Sequence, residues 1–219
     1  MASTTVLYSF WRSSCAWRVR TALEWKGVVY EIRTLNLLQA GGGEQLRDDF
    51  TKLNPNQRVP TLVIDGHVLS QSGAILEYLE ETRPEKPLLP QDAYQRARVR
   101  NVCGIIGADI QPIQNLAVLT KVTESMAAEE KGAKKVEWAH FWIERGFVGL
   151  EQELALTAGK FCVGDNVTLA DVYLVPQVYN AHRFNVDMSK FPIIARVAKE
   201  LESVAAFEKA HPSQQPDAQ

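Results

Sequence analysis

The pattern of apolar residues changes once along this chain, and that change limits what it can fold into. Through residue 84, short apolar runs alternate with helical spacings; from Ala93 onward the strand-like runs vanish. A sheet buries a face and a helix buries a stripe, so the two parts need different layers, α/β first and all-α after. Val6–Phe10 reads as a strand. Cys15, Val19, Ala22 and Leu23 follow at helical spacing, with Gly27 as a stop. Val28–Leu35 reads as a second strand and Glu44–Leu53 as a short helix ended by Asn54-Pro55. Thr61–Ile64 and His67–Leu69 flank an Asp65-Gly66 turn, a hairpin signal. Ser72 then opens a helix with Ile75, Tyr78 and Leu79 on one face, ending at Arg83-Pro84. The predicted order is β-α-β-α-β-β-α, helices on a mixed sheet.

Pro84, Pro87 and Pro90 crowd a polar stretch read as a linker over 85–92, between domains 1–84 and 93–219. Arg96–Thr120 reads as a long helix kinked by Pro112. Ile143, Phe147, Leu150 and Leu154 draw one apolar stripe on a second long helix. Thr168 and Asp171 have the spacing of a capping box, and Val167 and Val172 that of its hydrophobic staple. Together they predict a helix over Leu169–Arg183. Shorter helices are expected over 193–202 and 204–210, followed by a polar tail that frays from Pro212.

Several function classes are excluded by charge and composition. A formal net charge of −2 gives no global basic field for nucleic acid or an anionic membrane. No apolar run reaches the roughly 20 residues of a membrane helix. Met1–Thr5 lacks the basic and apolar regions of a signal peptide. Cysteines at 15, 103 and 162 have no metal-like spacing, so free thiols in a reducing, cytoplasmic compartment are expected, with Cys103 and Cys162 buried. Histidines 67, 140, 182 and 211 form no cluster, and no metal site is assigned.

The chemistry concentrates in Ser13-Ser14-Cys15-Ala16-Trp17-Arg18-Val19-Arg20, where the first strand gives way to a helix. The first turn of a helix presents unpaired N–H groups and the positive end of the dipole, so an anion placed there is stabilised. That anion is either the Cys15 thiolate or the sulfur of a bound ligand. Position 16 is Ala, so no Cys-x-x-Cys redox pair exists. On residue type alone, Ser13 and Ser72 are equally readable as plain N-caps, Pro60 as an ordinary trans proline, and Gln45 as a solvated helix residue. Gln111 and Asn115, four apart, would share a face of the long helix.

Ser-Ser-Cys-x-Trp-Arg-Val-Arg at 13–20, Val59-Pro60, Gln71-Ser72, Gln111-Pro112 with Asn115-Leu116, and the Thr168–Asp171 cap together resemble the cytosolic glutathione transferases, and the first motif resembles their zeta class. The resemblance spans nearly the whole chain. It implies a thioredoxin-like N-terminal domain followed by an all-helical one, with glutathione as cofactor and a homodimer. Ser13 is then the donor that favours the glutathione thiolate, with Ser14 and Cys15 in support, and Ala16, Trp17 and Arg18 complete that stretch of the binding site. A cis Val59-Pro60 bond would present backbone to the cysteinyl unit. Gln71 and Ser72 would take the γ-glutamyl carboxylate, and Gln45 the glycyl end. Gln111, Asn115, Leu116 and Ala117 are second-domain contacts; Ala117 stands where the family often has Ser. Arg12 and Arg183 would hold the carboxylates of a dicarboxylate substrate, Arg18 would border the site, and Arg20 is read as an ion-pair partner. The implied reaction is glutathione-dependent isomerisation of maleylacetoacetate to fumarylacetoacetate. Maleylpyruvate isomerisation, conjugation or dehalogenation of small electrophiles, and a non-catalytic interaction module are the alternatives.

Overall fold

The computed structural model describes residues 4–39 and 41–219; Met1–Ser3 and Ala40, which the sequence places in the first domain, lie outside the described residues. Strand β1 (Val6–Ser9) leads through helix α1 (Ser14–Lys26) to β2 (Glu31–Thr34), which lies parallel to it. A single 3₁₀ turn, Glu44–Leu46, and helix α2 (Asp48–Leu53) replace the one helix expected over 44–53. The hairpin β3 (Thr61–Ile64) and β4 (His67–Ser70) adds antiparallel to β1, followed by α3 (Ser72–Thr82). The sheet order is β2-β1-β3-β4. Its core is Leu7, Leu62 and Ile64 with Val19, Ala22 and Leu23 of α1 and Ile75, Leu76 and Leu79 of α3, all essentially buried.

The second strand is shorter than the predicted Val28–Leu35. Gly27 sits at φ 68 as the left-handed cap of α1, and the Val28 N–H turns back to the Leu23 carbonyl at 3.0 Å. Pairing therefore starts only at Glu31.

Two compact units emerge: residues through Pro87 together with Val204–Gln219, and Leu88–Ser203. This corrects the expected helical domain of 93–219, because its last sixteen residues fold with the sheet. Helix α9 (Ala205–Ala210) packs on α1. The tail predicted to fray instead forms a 3₁₀ turn, Pro212–Gln214, and buries Pro212 and Gln215. The proline-rich linker is likewise no free tether: Leu88 and Leu89 are buried, and the Leu88 carbonyl accepts the Leu169 N–H at 2.8 Å.

The second unit holds α4 (Ala93–Gly104), α5 (Leu116–Val122), α6 (Ala128–Thr157), α7 (Leu169–Arg183) and α8 (Pro192–Leu201). The helix predicted over 96–120 is not continuous. After α4 one π-helical segment, Ile105–Ile110, widens the spiral, and residues 111–115 form turns. Pro112 offers no N–H and its ring crowds the preceding turn, so the helix ends rather than kinks. Helix α7 has the predicted bounds, and its capping box is present on both sides. Cys162 is buried as expected, whereas Cys103 is only half-buried. Among the described residues no helix is long and apolar enough to cross a membrane, and no cluster of three His, Cys, Asp or Glu could hold a metal.

Candidate active site

Strand register decides which loops meet. Tyr8 stands opposite Thr61, Thr61 opposite Ser70, and Ser9 opposite Thr34. The end of β1, the start of β3 and the ends of β2 and β4 therefore share one end of the sheet. The segments leaving that end carry Arg12–Arg18, Val59-Pro60, Gln71-Ser72 and Gln45. Four stretches far apart in sequence converge because the ladder leaves them no other direction.

At the first of these, Ser13 is the N-cap of α1, with extended backbone (φ −69, ψ 115), and its Oγ accepts the Ala16 N–H at 3.2 Å. The cap reading and the catalytic reading are compatible. Capping uses a lone pair of the hydroxyl and leaves its proton to donate. Ser14 is buried, while Ser13 and Cys15 are half-buried and open to a ligand. Arg18, 2% exposed, reaches back one turn to the Cys15 Sγ at 3.9 Å and across to the Ser72 Oγ at 3.4 Å. That bond ties the start of α1 to the start of α3. Ala16 and Trp17 are buried beneath it, the indole packing edge-on to the His211 ring with centroids 5.2 Å apart. Among the described residues Arg20, expected to be an ion-pair partner, makes no salt bridge, although the Asp217 charge acts on it. It is fully buried and donates to the Ser9 Oγ and to the carbonyls of Phe10, Trp11 and Ala210. Burial pulls it down to about 10, offset in part by Tyr30 and then Asp217.

The Val59-Pro60 bond is cis. Pairing of β3 begins at Thr61, so half-buried Val59 stands just outside the ladder. Asn54 shapes the approach, its Nδ2 donating to the Arg58 carbonyl and the Thr61 Oγ1 at 2.9 and 2.8 Å. The N-cap of α3 is Gln71 and not Ser72, which becomes the first helical residue. Gln71 holds φ 70, ψ 113 without a side-chain cap. A non-glycine residue there is strained, and such strain concentrates at ligand clamps. Gln45 donates from Nε2 to the Gly42 carbonyl at 2.6 Å, and its Oε1 is buried without a partner. Gly43 above it, at φ 100, is required: a Cβ would collide with that Oε1 and lie 2.7 Å from the Leu37 carbonyl.

In the helical unit the expected Gln111–Asn115 face does not exist, since both residues sit in the break. Asn115 caps α5, its Oδ1 accepting the Ala117 N–H at 3.2 Å; Gln111 ends the π-helical segment. Leu116 and Ala117 open α5 and are exposed. The break is held by residues that sequence reasoning missed. Buried Gln114 donates to the Oε1 of Gln177, in the middle of α7, at 3.0 Å, and the Trp138 indole donates to the Ile113 carbonyl at 3.0 Å. A glutamine inside the otherwise apolar Val172–Val178 run of α7 was the available signal. Arg183 ends α7 exposed, its guanidinium 4.7 Å from the Phe184 ring centre; Arg12 is half-buried over Trp11 at 5.2 Å.

A sheet end gathering a hydroxyl-capped helix, a cis-proline and a strained helix start offers backbone and hydroxyl groups that an extended peptide ligand can meet. The family models for the glutathione S-transferase N-terminal and C-terminal domains match residues 3–81 and 113–204. The chain belongs to the glutathione S-transferase family. It is 53% identical over 215 residues to a maleylacetoacetate isomerase from Dictyostelium discoideum, covering 98% of this chain and 96% of that protein. Among solved structures, a bacterial zeta-class maleyl pyruvate isomerase matches with TM-score 0.92 and 44% identity over 98% of this chain and 100% of that one. A maleylacetoacetate isomerase from Anaeromyxobacter dehalogenans, solved with glutathione in its active site, matches with TM-score 0.87 and 45% identity over 100% and 99% of the two chains. This depth of identity places the chain in the zeta-class, maleylacetoacetate isomerase branch of the family, and it is an enzyme.

Proposed function

We infer that the protein is a glutathione-dependent cis–trans isomerase that converts maleylacetoacetate to fumarylacetoacetate in tyrosine and phenylalanine breakdown. The observation that carries the reading is the convergence of Ser13, Val59-Pro60, Gln71-Ser72 and Gln45 at one end of the sheet. Nearly full-length relatives named for this reaction support the choice of substrate.

The residues present suit glutathione. The orphaned Gln45 Oε1 offers an acceptor to a peptide N–H at the glycyl end. Backbone at Val59 meets an extended cysteinyl unit as a strand end does. The start of α3, with the Ser72 hydroxyl, suits the γ-glutamyl carboxylate. Bound there, glutathione would supply a thiolate nucleophile for the activated cis double bond of the substrate. Ser13 donates its spare proton to that sulfur and, with the α1 dipole, favours the ionised thiol. Cys15 and Arg18 shape the wall beside it. Arg12 and Arg183 orient the substrate carboxylates and take up developing negative charge. Gln111 and Asn115 serve as second-domain contacts in this scheme, which also includes a homodimer and a cytosolic location.

Maleylpyruvate is the second reading, favoured by the match to a zeta-class maleyl pyruvate isomerase. An assay of both substrates with and without glutathione tests the assignment. The expected result is glutathione-dependent turnover with the higher kcat/KM on maleylacetoacetate. Turnover without glutathione would sink the mechanism, and a higher value on maleylpyruvate would reassign the substrate.

A further inference from the structure

The peptide between Phe10 and Trp11 and the one after it lie immediately upstream of Ser13, and both are gripped. The Ser13 N–H closes the turn on the Phe10 carbonyl at 2.9 Å. Arg20 holds the Trp11 carbonyl at 3.0 Å and, with the same guanidinium, the Ala210 carbonyl at 3.1 Å. The Trp11 N–H is held from the far end of the chain: it donates to the Asp217 Oδ2 at 3.0 Å, across 206 residues.

The segment that delivers Asp217 is itself folded. Gln215, 7% exposed, donates to the carbonyls of Lys209 and His211 at 3.1 and 3.0 Å, and the His211 ring stands against Trp17 inside the Ser13–Arg20 motif. The other carboxylate oxygen, Oδ1, is buried with no hydrogen bond. Burying half a carboxylate unsatisfied costs stability, so the group is poorly explained as a device for holding the tail down. Among the described residues its one hydrogen bond goes to the turn that aims Ser13, and its charge faces Arg20, which grips the other side of that turn.

We propose that Asp217 is a positioning residue for the isomerase reaction: the C-terminal segment reaches back to fix the Trp11–Ser13 turn and thereby the direction in which Ser13 offers its hydroxyl to the glutathione thiol. The inference rests on the proposed role of Ser13.

The test compares Asp217→Ala, Asp217→Asn and Ser13→Ala in the full chain. Three quantities are read: kcat and the KM for glutathione, the pH titration of the bound thiol by its thiolate absorbance, and amide exchange at Trp11–Ser13. Asp217→Ala is expected to lower kcat about tenfold with little change in KM, since misaimed groups lose rate before binding. It should also shift the thiol titration to higher pH and speed exchange at Trp11. Asp217→Asn keeps an acceptor for the Trp11 N–H and should restore most of each. Unchanged kcat and exchange in Asp217→Ala, or equal losses in the Asn variant, would overturn the proposal. If Ser13→Ala is damaged and Asp217→Ala is not, the latch alone fails. If Ser13→Ala is silent, the role of Ser13 fails and takes the latch with it.

Discussion

Two helices of this protein begin with a hydroxyl N-cap, and they use it differently. At the start of α7, Thr168 and Asp171 are buried and closed on themselves. The Asp171 carboxylate accepts the N–H of Cys162 at 2.9 Å and the N–H and Oγ of Thr168 at 2.8 and 2.9 Å. Nothing is left over for a ligand. At the start of α1, Ser13 is half-buried, accepts one amide and retains its proton. A cap that exhausts its hydrogen-bonding capacity serves the fold; a cap that keeps some in reserve, at an open sheet end, can serve chemistry.

The largest effect that would test this contrast is at the closed cap. Asp171→Ala leaves three buried donors without an acceptor, and should cost about 3 kcal/mol of stability. The urea midpoint should fall accordingly at unchanged slope. A loss no larger than that of an exposed cap would mean that solvent reaches α7's start, and the comparison would collapse.

Ser13→Ala should show the reverse balance. Losing an N-cap of this kind costs about 1 kcal/mol, whereas removing the donor that stabilises the reacting sulfur should lower kcat/KM about 100-fold, or about 2.7 kcal/mol. The variant should still fold, which circular dichroism and thermal melting check. Near-normal turnover by a folded variant would make Ser13 a cap and nothing more.

The same contrast explains what the sequence reveals. Both caps are local signals, and the start of α7 follows from Thr168 and Asp171 without any tertiary information. The hairpin around Asp65-Gly66 was legible for the same reason, and with it the order of elements in the first unit. What escaped depends on partners far along the chain. The proline at 112 marks an interruption, but the turns that follow it are held by Gln177 and Trp138, far along the chain. A tail of Pro, Ser, Gln and Asp reads as solvated; Trp11, Lys209 and His211 give it something to fold against. Arg20 itself reads as half of an ion pair, because a sequence shows charges and not the carbonyls that a buried guanidinium can collect. For the site, the Ser13–Arg20 motif stands out from the residues and Gln71-Ser72 from the resemblance, whereas their departure from one end of the sheet needs the strand register.

The smallest effect separates the two caps by pH. The closed cap contains an ionisable group and the open one does not. Burial raises the Asp171 carboxyl above the ordinary carboxylate range, even though the Cys162 and Thr168 donors pull it down. A carboxyl whose folded value is raised contributes stability that is present in full below its unfolded value, near 4, and is lost as pH rises through the folded value. The stability difference between the parent protein and Asp171→Ala should therefore be larger at acid pH than at neutral pH. For Ser13→Ala the difference should not vary with pH, because no titrating group is removed. Parallel urea titrations of the three proteins from pH 4 to 7 measure both slopes. A difference for Asp171→Ala that grows toward neutral pH would mean that the three donors outweigh burial, and that the closed cap is held as a stabilised carboxylate.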